Sequence, residues 1–228
     1  MIDTSQLTTA TIADACVRLG LTPKVAPFEL RPVISGTPVM GPAIPVTHLG
    51  SVDVFLEVIN GAEPGSVLVI DNGGRRDEAC IGDLIALEAK LANIVAIVVW
   101  GCHRDTAQLV DIALPIFSLG AYPLGPTRVP PAGIPIRSAT INGITVRPGD
   151  IVVADDDGVI LVPVADFDNV ATTASSIMNI ELRQSEEMKT GRNLREQIQF
   201  GAYLERRVKD PGYSLRDHLK SAGGAIET

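Results

Sequence analysis

Ser66-Val67-Leu68-Val69-Ile70-Asp71, the helix-forming stretch Leu84 to Ala92, and Ile94-Val95-Ala96-Ile97-Val98-Val99-Trp100 together decide the fold. Two apolar runs rich in β-branched residues flank a segment of good helix formers, which is the pattern of a β-α-β unit. Runs without polar alternation need cover on both faces, and the handedness of the crossover then sets the second strand parallel to the first. Downstream, Ala107 to Ile112 reads as a short helix and Ile116-Phe117-Ser118-Leu119 as another strand, so the unit repeats. Upstream, Thr9 to Leu19 reads as a helix stopped by Gly20, with Ile12, Ala13, Cys16, Val17 and Leu19 on one face. Val39 to Val46 is an apolar stretch broken by Pro42 and Pro45, and Val54 to Ile59 is helix-like before Asn60-Gly61.

The pattern changes in the second half. Five prolines, at 123, 126, 130, 131 and 135, make Gly120 to Pro135 a long irregular excursion. Ile136 to Ile141, Ile144 to Val146, Ile151 to Ala154 and Val159 to Val164 read as short strands joined by Asn142-Gly143, Pro148-Gly149-Asp150 and Asp156-Asp157-Gly158 turns, so antiparallel hairpins are expected. Asp166 to Met188 is a long amphipathic helix, and Gly191 to Thr228 forms helical pieces punctuated by Gly201, Pro211-Gly212 and Gly223-Gly224.

Composition bounds the function. At 228 residues and 46% apolar side chains, one compact α/β domain with a sizeable core is expected. A net charge of −8 disfavours general binding to nucleic acid or anionic lipid, and nine aromatics are too few for a base-stacking platform. Cys16, Cys80 and Cys102 are odd in number and form no C-x-x-C pair, which argues against a disulfide framework or thiolate zinc site and fits a reducing cytoplasm. The opening residues lack a basic-then-apolar leader, and the longest apolar run, Ile94 to Trp100, is far short of a membrane span, so neither export nor anchoring is expected. Residues 189–220 carry eight basic and four acidic side chains, +4 against −12 for the remainder. That tail reads as an appendage docking on its own acidic body or a neighbouring subunit, or as an RNA or phosphate contact.

In a parallel β-α-β unit the helix start and the carboxyl ends of both strands share one sheet edge, where open α/β folds bind ligands. Helix 84–92 runs about 14 Å out and the returning strand about 23 Å back. Gly82-Asp83-Leu84-Ile85 and Cys102-His103-Arg104-Asp105 therefore converge, and Asp83, Arg104 and Asp105 surround one cavity. Helix-end amides suit a carboxylate, a guanidinium suits a second oxygen, and carboxylates suit a hard cation, a set that fits a 2-oxo acid. The plainer alternative makes Asp83 and Asp105 helix caps and Arg104 a surface ion-pair partner. His103 is read either as an acid/base or substrate-contacting group or as a packed, hydrogen-bonded residue. His48 and His218 lack an H-x-x-x-H companion, so zinc is not indicated. Asp155-Asp156-Asp157-Gly158 reads as a turn before calcium. Gly73-Gly74-Arg75-Arg76-Asp77 follows a strand but lacks dinucleotide-binding spacing, leaving Arg75 or Arg76 to meet an acidic substrate.

Asp83, twenty intervening residues, and Arg104-Asp105 resemble the signature of the RraA-like family, which includes class II 4-hydroxy-4-methyl-2-oxoglutarate / 4-carboxy-4-hydroxy-2-oxoadipate aldolases and regulators of ribonuclease activity. Thr9 to Ala15 resembles the family's opening helix and Pro148 to Val159 its late hairpin, and Glu181 stands ten residues before Gly191 as in its last helix. The resemblance implies a layered α/β sandwich over residues 1–190, with 191–228 as a helical basic extension. It implies divalent-metal-dependent retro-aldol cleavage of a 4-hydroxy-2-oxo (di)acid to pyruvate, with oxaloacetate decarboxylation through the same enolate. Asp105 would ligate Mg2+ or Mn2+, and Glu181 from a neighbouring subunit would reach the metal through water. Arg104 would face the keto oxygen, Gly82 and the Leu84 and Ile85 amides would hold the carboxylate, and Asp83 would orient a water for proton transfer. A homotrimer or homohexamer is implied. The family's other activity, non-catalytic regulation of a ribonuclease by protein contact, is the alternative, although Asp105 after the arginine favours the enzyme.

Overall fold

A computed structural model describes residues 6–128 and 137–222. In chain order the elements are α1 (Thr9–Arg18), β1 (Lys24–Val25), β2 (Arg31–Pro32), β3 (Val39–Thr47), α2 (Asp53–Ile59), β4 (Val67–Ile81), α3 (Asp83–Leu91), β5 (Ala96–His103), α4 (Thr106–Ile112) and β6 (Ile116–Ser118). Then follow β7 (Ala139–Ile141), β8 (Ile144–Val146), β9 (Ile151–Asp155), β10 (Gly158–Val162), α5 (Val164–Lys189), α6 (Leu194–Gln197), α7 (Phe200–Lys209) and α8 (Leu215–Ala222).

Eight strands form one mixed sheet in the order β1-β10-β9-β3-β4-β5-β6-β2. Its centre, β3-β4-β5-β6, is parallel, as the apolar runs require, while β9 and β10 add an antiparallel hairpin and β2 closes the far edge antiparallel to β6. Cores lie on both faces. Phe55, Leu68, Ile70, Ile97 and Ile116 pack beneath α2 and α3, and Val67, Val69, Val98 and Phe117 pack beneath the β7-β8 hairpin. A third cluster joins Ile12 and Cys16 of α1 to Ile160 of β10 and to Val170, Ala174 and Ile177 of α5.

Three sequence expectations change. The apolar face of α1 is Ile12, Ala15 and Cys16, whereas Val17 and Leu19 are 56% and 41% exposed, because α5 covers only the narrower stripe. The proline-broken stretch at 39–46 is a continuous strand. Its first half ladders with β9 and its second with β4, so each half leaves a side on which a nitrogen without hydrogen is tolerated. The third change bears on the site. Gly73 to Asp77 does not follow a strand but lies inside β4, which continues to Ile81 through three irregularities against β5. Ten residue steps from Asp71 to Ile81 oppose three from Trp100 to His103. Gly73 and Gly74 take φ of 66° and 67°, and a side chain on Gly74 would strike the Trp100 indole, so glycine is required there.

The late hairpins form as expected. Asn142 and Gly143, both at positive φ, connect β7 and β8, and Asp156-Asp157 connects β9 and β10. Asp155 accepts from Thr9 N and Thr9 Oγ1 at 2.8 and 2.7 Å, tying the start of α1 to that hairpin. The excursion after Gly120 is irregular through Arg128; Pro130, Pro131, Pro135, Ile136 and Gly223-Gly224 lie outside the described residues. In the basic tail, Tyr203 and Tyr213 gather around His218, with Arg206 and Arg207 stacked over the two tyrosine rings, so part of its charge is used internally. Among the described residues no helix is long and apolar enough to cross a membrane.

A buried polar cluster fastens the irregular segment to the lengthened strand. Arg128 donates to Glu78 Oε1 and Oε2 at 2.5 and 3.2 Å and to Asn72 Oδ1 at 3.1 Å, and Asn72 Oδ1 also meets His48 Nδ1 at 2.8 Å. Burial pushes the Glu78 carboxyl up, but the bonds and charge of Arg128, with Arg75, outweigh it and hold the group below its usual range. Burial holds His48 below its usual value.

Two outcomes follow from this packing. Ile97→Ala, at a position with no exposure, lowers the unfolding free energy in urea by about 2–5 kcal/mol, whereas Val17→Ala stays within about 0.5 kcal/mol. Both buried titrating groups bind protons more readily when unfolded, so stability falls as pH drops below about 6.5, through His48, and again below about 4.3, through Glu78. His48→Gln removes the loss between pH 6.5 and 5, which urea titrations at stepped pH measure directly.

Candidate functional site

The lengthening of β4 sets its last residue, Ile81, beside His103, the last residue of β5, and Arg104 N donates to Ile81 O at 3.0 Å. The residues that follow each strand therefore leave the sheet side by side: Gly82-Asp83 into α3 and Arg104-Asp105 into α4. They line one cavity of about 510 Å³, together with Leu84, Ile85, Pro126 and residues of α2 and α3.

Each side chain is positioned by local backbone. Asp105 takes a left-handed conformation, φ 60° and ψ 39°, and makes no side-chain cap on α4. Instead its Oδ2 turns back across the strand ends, accepting from Asp83 N at 3.4 Å and lying 3.6 Å from Arg104 Nε. The space for this comes from Gly82, where a Cβ would collide with Asp105 Oδ2 and crowd Arg104. On the other side Arg104 Nη1 lies against Gly125, where a Cβ would sit 2.7 Å away, so the guanidinium is held between two glycines while staying half exposed. Ala79 N donates to Leu124 O at 2.8 Å and fixes that second wall.

Asp83 is the first residue of α3, whose N-cap Gly82 makes no side-chain cap, and its Oδ1 accepts from the adjacent Leu84 N at 2.8 Å. Ile85, in the first turn, has no intrahelical acceptor for its N–H. Neither aspartate makes the side-chain cap of the plainer reading: Asp83 bonds its own neighbour inside the first turn and Asp105 turns away from α4. Among the described residues no three His, Cys, Asp or Glu side chains form a metal-holding group. At the strand ends the available donors are the carboxylates of Asp105 and Asp83, with Glu88 further along α3. That sparse oxygen set suits Mg2+ or Mn2+, because such ions keep several waters and need one or two carboxylates plus substrate oxygens.

Glu181 stands on the exposed outer half of α5 and does not line this cavity, so a single chain does not bring it to the other three residues. His103 is the packed reading: its Nδ1 meets Ser118 Oγ at 2.7 Å, its Nε2 meets Thr106 Oγ1 at 3.1 Å, and burial lowers its pKa. Arg75 and Arg76 pair with Asp77 and Glu29 outside the cavity. Burial also pushes the Cys80 thiol far up, which removes it as a nucleophile although it lines the wall. Sequence reasoning missed the roles of Gly125 and Pro126, since nothing local marks a proline-rich loop as the wall for an arginine twenty residues earlier.

Several known proteins resemble this chain. Protein DlpA of Legionella pneumophila is 32% identical over 195 residues, covering 82% of this chain and 30% of DlpA. A protein of Aromatoleum aromaticum named "Putative 4-hydroxy-4-methyl-2-oxoglutarate aldolase" is 34% identical over 103 residues, covering 45% of this chain and 64% of its own length. The chain thus spans less than two thirds of both relatives. The crystal structure of Streptomyces coelicolor RraAS2, described as an unusual member of the RNase ES inhibitor RraA protein family, superposes with a TM-score of 0.68 at 26% identity, covering 84% of this chain and 97% of RraAS2. Residues 9–161 match the RraA-like family model described as Aldolase/RraA, and with the sheet and the strand-end site already in view, the chain belongs to the RraA-like family.

Proposed function

We propose that the cavity at the ends of β4 and β5 cleaves a 4-hydroxy-2-oxo acid by a retro-aldol reaction, releasing pyruvate and a carbonyl product. The observation that carries this is the convergence of a helix start, one half-exposed guanidinium and two carboxylates on a single pocket. The family membership and the aldolase name of a relative support it.

In this reading the substrate carboxylate docks on the Leu84 and Ile85 N–H groups at the positive end of α3. Its arrival displaces the Asp83 carboxylate from Leu84 and frees it to orient the water that takes the 4-hydroxyl proton. Arg104, braced by Gly82 and Gly125, faces the 2-oxo oxygen and stabilises the negative charge that gathers there as the C3–C4 bond breaks. The enolate then takes a proton at C3 and leaves as pyruvate. Mg2+ or Mn2+ held by Asp105, and reached through water by Glu181 of a neighbouring subunit in a trimer or hexamer, would supply Lewis-acid polarisation of the same oxygen. Oxaloacetate would lose CO2 through the same enolate.

The likeness to RraAS2 favours a second reading, regulation of a ribonuclease by protein contact without catalysis. A lactate dehydrogenase-coupled assay separates the two, since only the lyase releases pyruvate when Mg2+ is supplied and stops when it is chelated.

Arg104→Ala loses about 10²–10³ in kcat, the usual effect of removing one oxyanion contact. Asp105→Ala loses the response to added Mg2+. Full metal-dependent pyruvate release by both variants would sink the assignment. Gly82→Ala pushes Asp105 and Arg104 out of register and lowers kcat with little change in thermal midpoint, since Gly82 has an ordinary extended backbone, φ −148°.

A further inference from the structure

Asp105 departs from the conformation its place in the chain would favour. An aspartate at the N-cap of α4 ordinarily holds an extended backbone and accepts from the N–H of Ala107 or Gln108. Asp105 is left-handed instead, and its carboxylate makes no cap. A residue other than glycine stays in that region only where its surroundings hold it there. Before Asp105 the chain is fixed by backbone bonds: His103 N donates to Gly120 O at 3.0 Å, Tyr122 N to His103 O at 2.8 Å and Arg104 N to Ile81 O at 3.0 Å. After it, Leu109 N donates to Asp105 O at 3.0 Å. A side chain spans the turn between the two. His103 Nε2 meets Thr106 Oγ1 at 3.1 Å, closing a bridge over Arg104 and Asp105. The other ring nitrogen is anchored on Ser118 Oγ at 2.7 Å, and that oxygen also accepts from Gly120 N at 3.2 Å.

His103 and Ser118 are buried, and every partner in the bridge belongs to the same chain, so the bridge does not depend on what a neighbouring subunit adds to the cavity. None of His103, Thr106 and Ser118 lines that cavity, so the network acts on the backbone of Asp105 and not on a ligand. We infer that His103 is a positioning residue: through Thr106 it holds Asp105 in the left-handed turn that carries the carboxylate across the strand ends to Asp83 N and Arg104 Nε, and keeps it from falling back into a cap on α4. This inference rests on the lyase reading, which assigns the divalent cation to that carboxylate. Without the bridge, Asp105 takes the extended conformation and its oxygens turn to the N–H groups of α4. One hydrogen bond replaces another, so the loss falls on metal affinity and not on the fold.

The test titrates Mn2+ alone into the full chain and follows the free-ion electron paramagnetic resonance signal, with thermal midpoints measured on the metal-free samples. Thr106→Val, at an exposed position, keeps the side chain's size and removes its hydroxyl, whereas Thr106→Ser keeps the hydroxyl. The valine variant is expected to bind Mn2+ about tenfold more weakly, as is usual when an outer partner of a metal ligand is lost, at an unchanged midpoint. The serine variant binds as the unaltered protein does. His103→Phe removes both ring bonds and gives the same weakening; should it fail to fold, the Thr106 pair decides alone. Unchanged Mn2+ affinity in Thr106→Val, or weakening only in step with a lower midpoint, overturns this inference, and the metal assignment stands so long as Asp105→Asn abolishes binding. If Asp105→Asn binds Mn2+ as the unaltered protein does, or the unaltered protein binds none, both this inference and the metal assignment fall.

Discussion

One register pair organises the molecule: Ile81 of β4 against His103 of β5, closed by the bond from Arg104 N to Ile81 O. Parallel neighbours deliver their carboxyl ends to the same edge whatever their sequences. Here the accident of length matters more than direction, because β4 is far longer than the run of β5 it opposes. Had β4 ended at Asp71 and its excess formed a separate loop, Gly82 would have no fixed place beside Arg104. The surplus is absorbed within the strand by positive-φ glycines and by the pairing of buried Glu78 with the partly exposed guanidinium of Arg128. Such a pair gains little net stability over an apolar replacement, but breaking it leaves a buried charge, so it enforces one arrangement of the loop that walls the site.

The parallel centre of the sheet was legible because Val67 to Ile70 and Ala96 to Val99 are uninterrupted apolar runs that only two-sided burial explains. The hairpins were legible because Asn142-Gly143 and Asp156-Asp157 name their own turns. What stayed hidden was the continuation of β4 past Asp71. Asn72-Gly73-Gly74-Arg75-Arg76-Asp77 has the composition of a loop, and its membership in a strand depends on Trp100, Gly101 and Arg128 arriving from elsewhere in the chain. The outward turn of Val17 on α1 was hidden for a similar reason, since a helix's own period cannot say how wide its neighbour is.

The site divides in the same way. Asp83, Arg104 and Asp105 were placed together by spacing and strand direction, and they do share a cavity. The division of labour between the two aspartates depends on backbone conformation: one bonds its own helix, while the other, at positive φ, turns away from its helix. A left-handed aspartate leaves no trace in residue order, and a sequence reader assigns both as caps with equal right.

Trp100 is the only tryptophan of the chain, and its indole fills the space where a Gly74 side chain would stand, at the point where β4 begins to outrun β5. The protein therefore carries a built-in optical reporter at the joint that assembles its pocket. That joint lies outside the cavity lining, so the indole reports on the seating of the strand from beyond the pocket itself.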